Sequence, residues 1–394
     1  SAVMTFAFDR DWTWVLLAAG ALTALGTWDL LQQRSTLRRN YPLLAHFRYG
    51  LESIGPEMRQ YFIQADTAEV PFSRLQRALV YQRSKSVIDT RPFGTLQDVY
   101  GPDYEWINHS MVPSEHVDPD FRVLVGEKSA QPYSASVFNI SAMSFGSLSA
   151  NAIRALNKGA KAGGFYHDTG EGSISPYHRE HGGDLVWEIG SGYFGCRDND
   201  GGFSVERFVE NATDPQVKMI EVKLSQGAKP GHGGVLPAPK VSPEIALTRG
   251  VPPGVECVSP AQHSAFSTPV GLLEFVARLR ELSGGKPTGF KLAIGHPWEW
   301  FGIAKAMKET GILPDFIVVD GAEGGTGAAP AEFIDHVGLP MHEALMLVHN
   351  TLVGLELRDD LRLAAAGKVT SAFDIARTLA MGADWCNAGR GFMF

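Results

Sequence analysis

The chain has 394 residues, 44% hydrophobic and 20% charged, which describes a globular protein and excludes a disordered one. The formal net charge is −8, so the basic balance of a general nucleic-acid binder is absent. Three cysteines, Cys196, Cys257 and Cys386, are far apart and show no C-x-x-C spacing. That pattern points to a reducing, cytoplasmic compartment rather than to disulfides or a structural zinc site.

The first element is the run WTWVLLAAGALTALGTWDLL at residues 12–31, uncharged from Trp12 to Trp28. Such a length predicts a helix able to span a bilayer. Trp12, Trp14 and Trp28 flank it as interfacial aromatics would, and Arg34, Arg38 and Arg39 place its C-terminal side in the cytoplasm. Residues 1–33 are therefore read as a hydrophobic segment and possible anchor to the inner membrane. A buried or partner-docking helix is the alternative reading. A signal peptide fits less well, because Arg10 stands between Asp9 and Asp11 and no clear cleavage site follows. Residues 34–135 read as a helical and irregular lead-in, in which Pro42 and Pro56 are expected to break helices.

From residue 136 to 394 short apolar runs alternate with helical patterns. The expected strands are 138–144, 164–170, 217–224, 255–260, 289–295, 316–321, 361–367 and 383–389. Eight β-then-α units in about 250 residues predict an α/β fold, the (β/α)8 TIM barrel. A doubly wound open sheet competes, but no G-x-G-x-x-G follows the first strand. The eighth helix is missing, since the chain stops at Phe394 just after the eighth strand, which suggests an incomplete sequence.

Barrel chemistry sits at the carboxyl ends of the strands. The tips here are rich in glycine: SAMSFGS, DTGEGS, SQGAKPGHGG, DGAEGGTGAA, AAGK and NAGRG. Ala366-Gly367-Lys368 and Gly389-Arg390-Gly391 occupy the last two tips, where backbone N–H groups commonly hold a phosphate. Lys291 lies mid-strand in GFKLAIG and needs either a counter-charge or a ligand. Lys223 and Lys229, with Glu171 and Arg249, would suit a dicarboxylate substrate. His178, Glu180 and His181 in YHREHGG match no established zinc spacing, and no metal site is expected there.

Taken together, SAMSFGSLS, DTGEGS, VKLSQGAKPGHGGVLP and DGAEGGTGAAP resemble the FMN-binding synthase domain of glutamate synthases. The similarity covers roughly residues 90–394. It implies an FMN barrel that reduces 2-iminoglutarate, formed from 2-oxoglutarate and ammonia, to glutamate. By position, Ala142, Met143, Ser144, Gln226, Lys291, Gly324, Gly325 and Thr326 would line the flavin, with Gly367, Gly389, Arg390 and Gly391 near its phosphate. Lys291 would stabilise negative charge on the reduced ring. Glu171, Lys223 and Lys229 would be catalytic and, with Arg249, would hold the oxo acid.

The sequence departs from that family at several points. No cysteine precedes Cys196, so nothing matches the N-terminal catalytic Cys of a glutaminase domain. Ammonia is then expected from solution, from a separate amidotransferase, or not at all. His232 and Val235 replace a glutamate and a glutamine common in the large enzymes, and Glu323 stands where they carry Asp. The family's 3Fe–4S cysteines lie just beyond the barrel, so a cluster is possible only beyond residue 394. No dinucleotide-binding fingerprint is visible, which favours a ferredoxin or a reductase subunit as electron donor. Two other readings stay open. One is an FMN oxidoreductase acting on a different oxo acid or amine, as in N-methylglutamate synthesis. The other is a membrane-tethered flavin-binding subunit without activity alone.

Overall fold

A computed structural model describes residues 12–63, 71–87, 90, 92–102, 104–115, 118–327 and 329–394. The chain forms two compact units, Ser1–Leu75 and Gln76–Phe394. In the first, helices α1 (Trp12–Leu31), α2 (Thr36–Asn40) and α3 (Leu44–Met58) follow one another. Ser35 begins α2 by accepting a hydrogen bond from the Arg38 N–H, which satisfies a donor the helix end leaves open. Pro56 does not break α3 as expected but lies inside it, and the backbone then loosens into a π turn at Arg59–Ile63. Proline removes one N–H from the ladder, and a wider turn is one way the helix accommodates that loss.

The second unit is a barrel. Its strands are β1 (Phe138–Ile140), β2 (His167–Asp168), β3 (Leu185–Ile189), β4 (Val217–Lys223), β5 (Thr288–Leu292), β6 (Phe316–Asp320), β7 (Arg362–Ala366) and β8 (Trp385–Ala388). They pair in parallel and in chain order, and β8 closes on β1. The main helices between them are α4 (Ala150–Gly163), α5 (Val205–Ala212), α6 (Pro243–Arg249), α7 (Pro269–Leu282), α8 (Pro297–Thr310), α9 (Met341–Gly354) and α10 (Ala372–Ala380). After β8 comes a single 3-10 turn, Arg390–Phe392.

The expected barrel was right, but one strand was misassigned. The sequence reading passed over LVWEI, which is β3, and took 255–260 as a barrel strand. Cys257–Val258 instead pairs antiparallel with Val235–Leu236, in an excursion between β4 and β5. The error has a physical cause. A single four-residue turn of helix, Pro176–Arg179, connects β2 to β3, so no helical period announces the next strand.

Side-chain alternation along the strands makes two layers. Outward residues such as Trp187, Ile220, Phe290, Ile317 and Leu363 pack under the helices. Inward residues Tyr166, Val186, Met219, Phe316, Val318, Ala364 and Trp385 form an apolar floor together with Val125, Tyr133 and Ala135. The last three belong to an antiparallel hairpin, Val123–Val125 with Tyr133–Ala135. The floor closes the interior, so the polar residues further along each strand lie nearer the carboxyl-end mouth.

Candidate functional site

Toward the carboxyl ends, the inward positions of four strands turn polar. Val186 is followed by Glu188, Met219 by Glu221, Gly289 by Lys291, and Val318 by Asp320. The register sets Glu188 directly beside Glu221 and Lys223 directly beside Lys291. Lys291 forms ion pairs with Glu188 and, at 3.5 Å, with Glu221. The carboxylate oxygens of Asp168, Glu188 and Glu221 lie within 4.8 Å of one another. Such a trio resembles a metal cage, but the Lys291 ammonium supplies the cation.

The charges shape one another's proton affinity. Burial, then the nearby Glu188, push Asp168 up to about 7. Burial and Asp168 hold Glu221 well above the ordinary carboxylate range. Burial also raises Asp320, which accepts a hydrogen bond from the Gly227 N–H at 2.9 Å. Glu188 goes the other way. Burial would raise it, but Lys291 and Lys223 outweigh that and lower it. Burial would likewise lower Lys291, yet Glu188, Glu221, Asp168 and Asp320 hold it well above its usual value.

Above this layer stands a second cluster. Lys223 Nζ lies 3.2 Å from Glu171 Oε2 and donates to Gln226 Oε1 at 2.7 Å. His263 Nε2 sits 2.8 Å from the Lys223 carbonyl oxygen, and its Nδ1 faces the Tyr193 hydroxyl at 3.1 Å. Lys229 is only 3% exposed. Burial pulls its ammonium below the usual lysine value, Glu171 opposes that, and Lys223 reinforces it. Glu171 thus acts on both lysines.

Glycines set these distances. A Cβ on Gly227 would lie 1.7 Å from the Gly321 carbonyl oxygen, and one on Gly234 would lie 2.0 Å from Glu171 Oε1. Gly227 faces backbone and admits no side chain, whereas a side chain at Gly234 would displace the Glu171 carboxylate, so the β4 loop packs directly on the β6 tip and on Glu171.

The structure places the other expected residues as follows. A Cβ on Gly389 would meet Met143 Sδ at 3.6 Å, and one on Gly325 would meet Arg390 Nε at 3.1 Å, so the β1, β6 and β8 tips converge. Arg390 donates to the Glu323 carbonyl, and burial lowers its guanidinium. Glu323 also accepts the Met341 N–H at 3.0 Å, capping α9, and a Cβ on Gly367 would lie 3.4 Å from Glu323 Oε2. Gly324 N–H bonds the Gly321 carbonyl at 3.0 Å, while Thr326 is half-buried beside it. Ser144 accepts the Leu148 N–H at 3.0 Å and, with half-buried Ala142, lines the β1 tip. Gly391 is half-buried in the turn after β8.

Arg249, on α6, is buried and donates to the Phe145 carbonyl oxygen at 3.0 Å. Its Nη2 is 3.2 Å from where a Gly172 Cβ would stand, one residue from Glu171. His232 and Val235 are exposed and half-buried respectively, at the outer end of the β4 loop. His178 is buried against Ser175, and Glu180 pairs with Arg154, so these two residues serve local structure. All three cysteines are buried free thiols.

The sequence reading missed Asp168, Glu188, Glu221 and Asp320. Acidic residues interrupting the runs LVWEI, VKMIEVK and FIVVD were the available signal.

The site is thus a closed (β/α)8 barrel with buried acids below and lysines at its glycine-lined mouth. Residues 111–394 match the family model described as a conserved region in glutamate synthase. The glutamate synthase large subunit-like protein YerD of Bacillus subtilis is 38% identical over 93% of this chain and 77% of its own length. The archaeal-type glutamate synthase [NADPH] of Thermotoga neapolitana is 36% identical over 62% of this chain and 45% of its own. The archaeal glutamate synthase [NADPH] of Methanocaldococcus jannaschii is 34% identical over 64% and 47%. The chain therefore belongs to the glutamate synthase family and is an oxidoreductase of that type. It spans less than half the length of those two archaeal-type relatives.

Proposed function

We propose that the barrel is an FMN-dependent oxidoreductase that reduces 2-iminoglutarate, formed from 2-oxoglutarate and ammonia, to glutamate. The observation that carries this reading is the cluster of Glu171, Lys223 and Lys229 at the mouth of a glutamate synthase-family barrel. The residues present fit FMN. Gly325 and Gly389 keep side chains away from Arg390 and Met143, so the β1, β6 and β8 tips offer backbone and one guanidinium to a ring and its phosphate. Ala142, Ser144, Gln226, Gly324, Thr326, Gly367 and Gly391 complete the surround. Bound FMN would supply the hydride to the imine carbon. Lys223 and Lys229 would bind the substrate's two carboxylates, with Arg249 supporting the Glu171 segment. Glu171 and Gln226 would hold Lys223 Nζ in place, limiting the reorganisation needed on binding. Lys291, paired with Glu188 and Glu221, would hold its ammonium at a fixed place in the layer beneath the mouth.

Electrons would arrive through a partner such as a ferredoxin or a reductase subunit, and ammonia from solution or a separate amidotransferase. A second reading concerns placement. Helix α1 is long and apolar enough to cross a membrane by length and composition, and only 6% of its apolar window is buried. We read it as a tether that keeps the barrel at the inner membrane.

The test is an absorbance spectrum of the purified protein, followed by anaerobic reduction and addition of 2-oxoglutarate with ammonium. Flavin bands that bleach and then return on adding both substrates support imine reduction. Bands that stay bleached keep the cofactor and refute glutamate formation. Folded protein without flavin refutes the cofactor.

A further inference from the structure

Helix α3 carries a stripe that no described residue of its own unit covers. Leu44, Phe47, Leu51, Ile54 and Met58 are all between 45% and 71% exposed. Their spacing of three and four residues puts them on one face. Arg48, Glu52, Ser53 and Glu57 occupy the rest of the surface. Helix α1 differs in kind, being apolar all round. An all-round apolar helix suits the bilayer core, whereas a one-sided helix suits its surface.

The start of α3 is tied to the end of α1. Asp29, the only acid of α1, is fully buried and accepts from the Leu43 N–H at 3.1 Å, with His46 Nε2 at 2.8 Å. Ser35 Oγ and the Tyr49 hydroxyl lie 3.2 Å apart, and the Arg38 guanidinium lies over the Tyr49 ring at 5.3 Å. Arg34, Arg38 and Arg39 fall in this junction. A polar, basic junction directly after an apolar helix belongs at the headgroup level.

We infer that α3 lies in the plane of the membrane, with the Leu44–Phe47–Leu51–Ile54–Met58 face in the acyl boundary and the three arginines on anionic headgroups. This rests on the tether reading of α1. A second copy of the chain is the competing occupant. The helix is only 15 residues long, about two heptads, and contains Gly50, Gly55 and Pro56. A stable coiled coil usually needs at least three or four heptads, so lipid is favoured.

The three native cysteines are buried, so an introduced surface cysteine can be labelled selectively in the intact chain. Environment-sensitive labels would be placed at Phe47→Cys and Ile54→Cys on the stripe, at Glu52→Cys on the polar face, and at Leu22→Cys on α1. Vesicles would be phosphatidylcholine with or without phosphatidylglycerol, some carrying a quencher at a shallow acyl position. The expected result is severalfold quenching at positions 47 and 54, little at 52, and stronger vesicle association with the anionic lipid. Water-like signals at 47 and 54 with a quenched label at 22 overturn the inference and keep the tether. Quenched labels at 47 and 54 with a water-like label at 22 support lipid contact by α3 and refute the tether. Labels at 47 and 54 that are shielded without vesicles, in a protein that sediments as a dimer, assign the face to a second copy and overturn the inference.

Discussion

Replacing Lys291 with Met removes the one ammonium that pairs with both Glu188 and Glu221 and leaves a side chain of similar length. The ionised pair is Lys291 with Glu188, since, against the effect of burial, Glu188 is lowered and Lys291 raised by one another. Breaking a buried pair from one side typically costs about 3–5 kcal/mol, because the remaining charge stays buried. The loss should depend on pH. Without Lys291 the acids' proton affinities rise further, so a deficit of about 4 kcal/mol at pH 8 should shrink toward pH 5, where Asp168, at about 7 in the wild type, is already protonated. Guanidinium unfolding of wild type and variant, across that pH range, measures it. A deficit that is the same at every pH would mean that only packing was lost and would refute the electrostatic account.

Lys229→Met should lower kcat/KM for the oxo acid by roughly 10²–10³ while flavin content, read from the visible spectrum, stays unchanged. Gly227→Ala forces a methyl against the Gly321 carbonyl and should destabilise the protein by at least about 2 kcal/mol, seen as a lower Tm with the same mass and fold by circular dichroism. Asp168 carries a folded-state pKa of about 7 against an ordinary 3.8, so its contribution is fully present below 3.8 and is lost as pH rises through 7. Asp168→Asn should therefore flatten the decline in Tm that the wild type shows between about pH 4 and pH 7; a decline of equal slope in both proteins would reject this assignment.

The fold was legible because each barrel helix repeats at 3.6 residues and most strands end in glycine. Reading failed where those signals lapse. Leu185–Ile189 follows a loop with one helical turn, and Cys257–Val258 mimics a strand tip although it belongs to an excursion. Within the site, Lys223, Lys229, Glu171, Arg390 and the glycine tips stood out by residue type alone. The buried acids did not. Glu188 and Glu221 sit inside apolar runs, and only closure of the barrel sets them beside Lys291. Lys291 itself was recognised as needing a counter-charge, but its partners lie on strands 70 or more residues earlier, beyond any local pattern.

Three of the four glycines in residues 225–234 are there for a reason that appears only in three dimensions. Gly227 abuts the Gly321 carbonyl at the β6 tip, Gly233 abuts the Ser259 carbonyl of the β4–β5 excursion, and Gly234 abuts Glu171 beyond β2. One loop thus touches three other segments through backbone alone. The contact with β6 is reinforced by the Gly227 N–H donating to Asp320, a residue of the buried acidic layer. Lys229 is the cation of that loop, two residues beyond Gly227, so main-chain packing fixes the backbone that carries it. Main-chain contacts leave little freedom to lose on binding, which is the condition for a lysine to recognise a carboxylate at a fixed place and distance.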